Sequence, residues 1–141
     1  MTRAEPMITL DAFNALLDAH HPFSAVLQAR IEEIGWGSAR VRLPSHPSHQ
    51  RKGGIISGPM LMGLADLALY AAVVGATGNT DAVTASLSIN FMRKAPPGDV
   101  LAIATIYKVG RSAAGDVLIM PADGGEPIAQ AISTWAVPRP L

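Results

Sequence analysis

The sequence predicts an α+β domain: a curved antiparallel sheet of about six strands wrapped around one long apolar helix, with a short helix at the N-terminus. Three observations predict it. The stretch GGIISGPMLMGLADLALYAAVVGATGN, Gly53 to Asn79, holds one ionisable acid or base apart from Tyr70, namely Asp66. Its Pro59–Ala76 segment is apolar almost all round, the pattern of a helix buried on nearly all sides. Most of the remaining chain reads as strands bounded by turn residues, and 141 residues with 49% hydrophobic content suit one domain spanning residues 1–141.

From the N-terminus, LDAFNALLDAH has the spacing of a short amphipathic helix. FSAVLQARIEEIGWGSARVRLP reads as two strands broken at Gly35 to Gly37, and PSHPSHQRKGG as a polar, proline-marked loop. Gly58 followed by Pro59 starts the long helix, since proline at its first positions gives up an amide that has no intrahelical partner there. GATGN ends it, with Gly75 or Gly78 able to supply a left-handed cap. DAVTASLSINFMR alternates, with Val83, Ala85, Leu87, Ile89 and Phe91 on one face and Thr84, Ser86, Ser88 and Asn90 on the other. DVLAIATIYKVG, DVLIMP and EPIAQAISTWAV give three further strands, separated by GRSAAG and ADGGE with hairpin turn chemistry.

Eleven basic and eleven acidic residues balance, which argues against a basic surface for nucleic acid or anionic membrane. The absence of cysteine excludes disulfides and thiolate metal sites, and the lack of a basic and apolar leader makes the cytoplasm the expected location. Pro59–Ala76 is long enough for a membrane span, but Asp66, Gly63 and Gly75 interrupt it and no aromatic belt flanks it. No metal or cofactor is expected. His46 and His49, three apart in a loop with Ser45 and Ser48, lack the third group that a metal or triad signature needs.

Asp66 is the residue that asks for an explanation. Burying an unpaired carboxylate costs several kcal/mol, so the group must be neutralised, solvated or used. Gly63 and Tyr70 lie one turn to either side on the same helical face, where they either leave room beside the carboxylate or pack the helix.

The ordered set of GGIISGPMLMGLAD and VTASLSINFMRKAPPGDVLAIATIYKVGRS resembles the phenylacetate-type acyl-CoA thioesterases of the hotdog-fold superfamily, over about Gly35 to Val137. The resemblance implies a hotdog fold and hydrolysis of an acyl-CoA thioester at a site shared between two subunits, in a homodimer or a dimer of dimers. Carried over residue by residue, it makes Asp66 the general base or nucleophile and Gly58 the residue whose backbone amide polarises the carbonyl. Amides at a helix N-terminus suit a developing oxyanion. Ser57 stands where the family usually has a histidine, Pro59 replaces a second glycine, and Arg51 replaces a frequent asparagine. Ser57 retains hydrogen-bonding capacity at the catalytic position. Arg93 and Lys94, at the end of the strand that carries Asn90, are expected with Arg111 to bind substrate, a guanidinium and an ammonium suiting CoA phosphates.

Two other readings compete. Ser57 and Pro59 motivate a hotdog protein that binds acyl-CoA without turning it over. A hydratase of the enoyl-CoA type would have a histidine five residues after the aspartate, where this chain has Ala71.

Overall fold

The computed structural model describes residues 4–139. Helix α1 (Leu10–His20) starts at Thr9, whose hydroxyl oxygen accepts the Ala12 amide at 3.1 Å. A second helix, α2, spans Phe23–Leu27, and strands β1 (Arg30–Gly35) and β2 (Ser38–Leu43) follow. The long helix α3 covers Gly58–Thr77, and β3 (Val83–Phe91), β4 (Val100–Lys108), β5 (Ser112–Pro121) and β6 (Ala129–Ala136) complete the chain.

All six strands form one antiparallel sheet in the order β1-β2-β4-β5-β6-β3. One face of that sheet buries α3, of which Leu64, Ala65, Ala68, Leu69, Ala72 and Val73 are inaccessible to solvent. This is the hotdog arrangement. The helix is long and apolar enough to cross a membrane, yet most of it is enclosed by its own chain. Gly78 supplies the left-handed cap at φ 70°, whereas Gly75 sits inside the helix, where a Cβ would meet the Gly35 carbonyl oxygen.

Three local expectations are corrected. Phe23–Leu27 is helical rather than extended: Pro22 presets its start and Gln28, at φ 56°, ends it in the left-handed region, while buried Leu27 faces Gly63. Strand β5 begins at Ser112, so the β4–β5 turn is shorter than GRSAAG. The third correction bears on the site. A β-bulge between Thr84 and Ser86 makes Ala85 the extra residue, so the alternation of β3 changes phase there. Leu87 and Ile89 point toward the helix as expected, but Thr84 pairs with buried Trp135 and joins that inner face, leaving Val83 opposite exposed Ala136.

Candidate active site

Asp66 is half-buried on the α3 face that looks toward the sheet edge at β3. Its Oδ1 accepts the Thr84 hydroxyl at 2.6 Å, a contact that exists because the bulge turns Thr84 inward. The carboxylate is therefore paired with a neutral donor, and no cation reaches it among the described residues. Thr84 is the site residue that sequence alternation missed. A bulge leaves no simple signal in a run of small residues.

Asp66, Gly63 and Tyr70 line one cavity of about 260 Å³ between α3, the N-terminal helices and β3. Tyr70 is buried, donates its hydroxyl to the Thr80 carbonyl at 2.7 Å, and stacks on Trp135 with ring centroids 5.9 Å apart. Burial, and secondarily the charge of Asp81, raise its pKa above the ordinary phenol value. Gly63 has a packing role: a Cβ there would lie 2.8 Å from Phe23 Cε1 and 3.1 Å from Leu27 Cδ2, so its bare backbone lets α2 seat on α3.

The start of α3 forms a second cleft, of about 430 Å³, shared by Gly58, Arg51, Arg93 and Lys94. Ser57 is the cap residue, but its side chain makes no capping bond; its amide donates to the His49 carbonyl at 2.8 Å. The first backbone bond into the helix runs from the Leu61 amide to the Ser57 carbonyl. Pro59 has no N–H, so the Gly58 and Met60 amides are the free donors of this terminus among the described residues. His49 is buried, with Nδ1 3.1 Å from the Pro44 carbonyl, and His46 closes a local turn with Ser48, so the two histidines serve the loop.

Three of the four basic candidates, Arg51, Arg93 and Lys94, line the Gly58 cleft, and Arg111 does not. Arg93 is engaged: its Nε lies 2.8 Å from Glu126 and its Nη1 donates to the Pro127 carbonyl at 2.8 Å. Lys94 and Arg51 are exposed and line the Gly58 cleft. Arg111 lies in the β4–β5 turn, at the opposite end of β3 from Lys94, because Ser112 pairs with Ala136 and Ala136 with Val83. Asn90 pairs with Gln130 on the outer face of the sheet, away from Asp66. No group of three or more potential metal-binding side chains occurs among the described residues.

A family model, that of the thioesterase superfamily, matches residues 53–125, which include all of α3 and strands β3, β4 and β5. The chain belongs to the thioesterase superfamily. Similar solved structures agree with this. A Silicibacter sp. TM1040 protein assigned as a thioesterase is 33% identical over 96% of this chain and 95% of its own, with a TM-score of 0.85. Zebra fish thioesterase superfamily member 2 is 25% identical over 93% of this chain and 99% of its own, with a TM-score of 0.83. A mutant of the phenylacetic acid degradation protein PaaI from Thermus thermophilus is 25% identical over 82% of this chain and 97% of its own, with a TM-score of 0.73. No match is found among curated proteins. The fold is thus the PaaI-like hotdog, and the chemistry of the superfamily is thioester hydrolysis.

Proposed function

We propose that this protein hydrolyses acyl-CoA thioesters as a homodimer, with Asp66 of one subunit and the Gly58 amide of the other acting on the same carbonyl. The observation that carries the reading is the separation of these two groups. They are eight residues apart on one helix, about 12 Å along its axis, too far to serve one carbonyl in a single chain. Each, however, touches β3, the free edge of the sheet. Asp66 is bonded to Thr84, and Gly58 lies against Phe91, whose Cζ would be 3.6 Å from a Cβ at position 58. Antiparallel pairing of two β3 strands centred on Ser88, with Ala85 again the extra residue, keeps inward side chains opposite inward ones and sets Thr84 of one copy beside the partner subunit's Phe91. The same operation carries Asp66 toward the partner subunit's Gly58.

In this arrangement the Gly58 amide and the positive end of the α3 dipole stabilise the oxyanion. The Thr84 hydroxyl holds Asp66 Oδ1, leaving Oδ2 to take a proton from the attacking water; the thiolate of CoA departs, and water supplies the acid oxygen. A second reading rests on Pro59, which removes one amide from the helix terminus: a protein that binds acyl-CoA without turnover.

Free-thiol release from a panel of acyl-CoA esters separates the two readings. Asp66→Asn should lose about 10² to 10⁴ in kcat while keeping its melting temperature. A folded mutant with near-normal turnover would assign Asp66 to structure. Mixing Asp66→Asn with a Gly58→Pro chain tests the sharing, because hetero-dimers contain one intact site. Recovery of roughly a quarter of wild-type activity is expected from random exchange, with half the dimers mixed and one of their two sites intact. No recovery under conditions of proven exchange would exclude the shared site.

A further inference from the structure

This inference rests on the reading of Asp66 as the reacting carboxylate and concerns what that site accepts. We infer that helices α1 and α2 select the acyl group, and that the contact between Tyr70 and His21 is the stop that confines it to compact, apolar acyl groups.

Asp66 and Thr84 both line the cavity, so a thioester carbonyl within reach of Asp66 has its acyl substituent beside that space. One wall is α3 itself, at Gly63 and Leu67. The facing wall comes from the N-terminal helices, through Leu17, Phe23 and Leu27. Because Gly63 has no side chain, Phe23 and Leu27 approach the α3 backbone directly, and their size sets the width of the space.

Tyr70 and His21 line the cavity too, and hydrogen bonding joins them. Tyr70 has one hydroxyl proton, and the Thr80 carbonyl takes it at 2.7 Å. At 3.3 Å from the same oxygen, His21 Nε2 is then the donor of the pair. His21 is the cap residue of α1, so this contact ties the end of α1 to the middle of α3 and to the loop before β3. From Asp66 to Tyr70 is four residues, about 6 Å along the helix. A cavity of about 260 Å³ also falls below the roughly 300–1,000 Å³ usual for drug-sized ligands. A ring or a short branched chain fits that depth, and a long extended chain meets Tyr70.

Leu17, His21, Phe23 and Leu27 all precede residue 53, where the family match begins. Acyl preference is thus placed in a segment that the family pattern does not cover.

The test is a series of straight-chain CoA esters from butanoyl to decanoyl, assayed for thiol release with wild type, Phe23→Ala and His21→Ala. Phe23 is 54% exposed, so its truncation leaves no sealed void and that variant should fold. The kcat/KM ratio of decanoyl to butanoyl ester should rise about tenfold or more in either variant, the scale of one or two methylenes in an apolar pocket. Equal ratios in folded wild type and variants would overturn the selector. Binding of non-hydrolysable thioether analogues of the same lengths provides a readout independent of turnover: wild type should favour the short analogues and His21→Ala should admit the long ones. A length-independent binding profile would likewise overturn it. Activity persisting in Asp66→Asn, by contrast, would remove the catalytic reading and leave the length ratios to stand or fall separately.

Discussion

The two edges of the sheet have been treated differently. At one edge, β1 is six residues long, carries Arg30, Glu32 and Glu33, and has a bulge between Ile31 and Glu33. Its charges are tied inward: Glu32 bridges Arg40 at 3.1 Å and Arg42 at 2.7 Å, and Arg42 continues to Asp99 at 3.1 Å. Since β3 carries a bulge too, short length and charge are the devices that set this edge apart and keep it from pairing with another chain. At the other edge, β3 runs nine residues without a charge and leaves Val83 58% and Phe91 51% exposed. An edge of that kind is a template for a further strand. The two halves of the candidate site each touch this edge, a hydrogen bond tying Asp66 to Thr84 and Gly58 lying against Phe91, so the open edge is the one that the proposed shared site requires.

Charging the open edge should produce the largest effect. Ser86 and Ser88 are exposed on β3 near the centre of the expected pairing, so lysines there leave the monomer core alone and set like charges beside their copies. Ser86→Lys with Ser88→Lys should sediment as a monomer and lose about 10² in kcat or more, the scale of removing an oxyanion donor. Glu33→Gln on β1 is the matched control and should change neither quantity. A charged β3 variant that stays dimeric and active would place the interface elsewhere.

Thr84 sharpens the comparison at a single hydroxyl. A hydrogen bond to a charged group contributes about 1.5–3 kcal/mol, so Thr84→Val should lower kcat about tenfold or more with little change in KM. Thr84→Ser restores the donor and should restore the rate. Loss of stability without that rescue would make the contact structural.

Thr84 also marks where the sequence stops being readable. The long helix, the strands and the family were legible, because an apolar run, period-two alternation and an ordered set of motifs are each local in the chain. So was the grouping of Gly63, Asp66 and Tyr70, which follows from helical spacing. The bulge at Ala85 was not, since one extra residue among Thr, Ala and Ser changes no composition or turn signal yet moves Thr84 to the opposite face. Phe23–Leu27 was misread as extended because five apolar and small residues fit either period, and what decides is tertiary: Leu27 and Phe23 fill the space over Gly63. The engagement of Arg93 by Glu126 joins positions 33 residues apart, beyond any local pattern.

The closed edge should be the acid-sensitive one. Hydrogen bonds from Arg42 hold Glu32 below its ordinary value of 4.5, and the Ser45 amide, followed by Arg42, holds Asp99 below 3.8. A carboxyl whose folded pKa is depressed stabilises the fold above its unfolded pKa and loses that contribution as pH falls through the folded value. The melting temperature should therefore drop as pH falls below about 4.5, and Glu32→Gln with Asp99→Asn should flatten that limb. Both side chains keep contact with solvent, Glu32 at 26% and Asp99 at 37% exposure, so the effect should be modest and should shrink with added salt. An acid limb unchanged in the double mutant would move the sensitive carboxylates to another part of the fold.

The smallest effect expected separates two neighbours at the end of the open edge. Sequence alone treats Arg93 and Lys94 as equivalent candidates for CoA phosphates, but Arg93 already holds Glu126 and the Pro127 carbonyl, which fastens the end of β3 to the loop before β6. Arg93 lines the Gly58 cleft as well, but two of its five N–H donors are spent and Glu126 neutralises its charge, which weakens its pull on a phosphate. Lys94 has no ion-pair partner among the described residues and lines the cleft that contains Gly58. Lys94→Ala should thus raise KM for CoA esters a fewfold with kcat nearly constant, as expected for lost uniform binding, and wild-type KM should worsen with salt. Arg93→Ala should leave KM close to wild type and lower the melting temperature slightly, since an exposed pair contributes about 0–1 kcal/mol. If the two substitutions raised KM equally, the Glu126 contact would be one that substrate displaces, and Arg93 would return to the phosphate site beside Lys94.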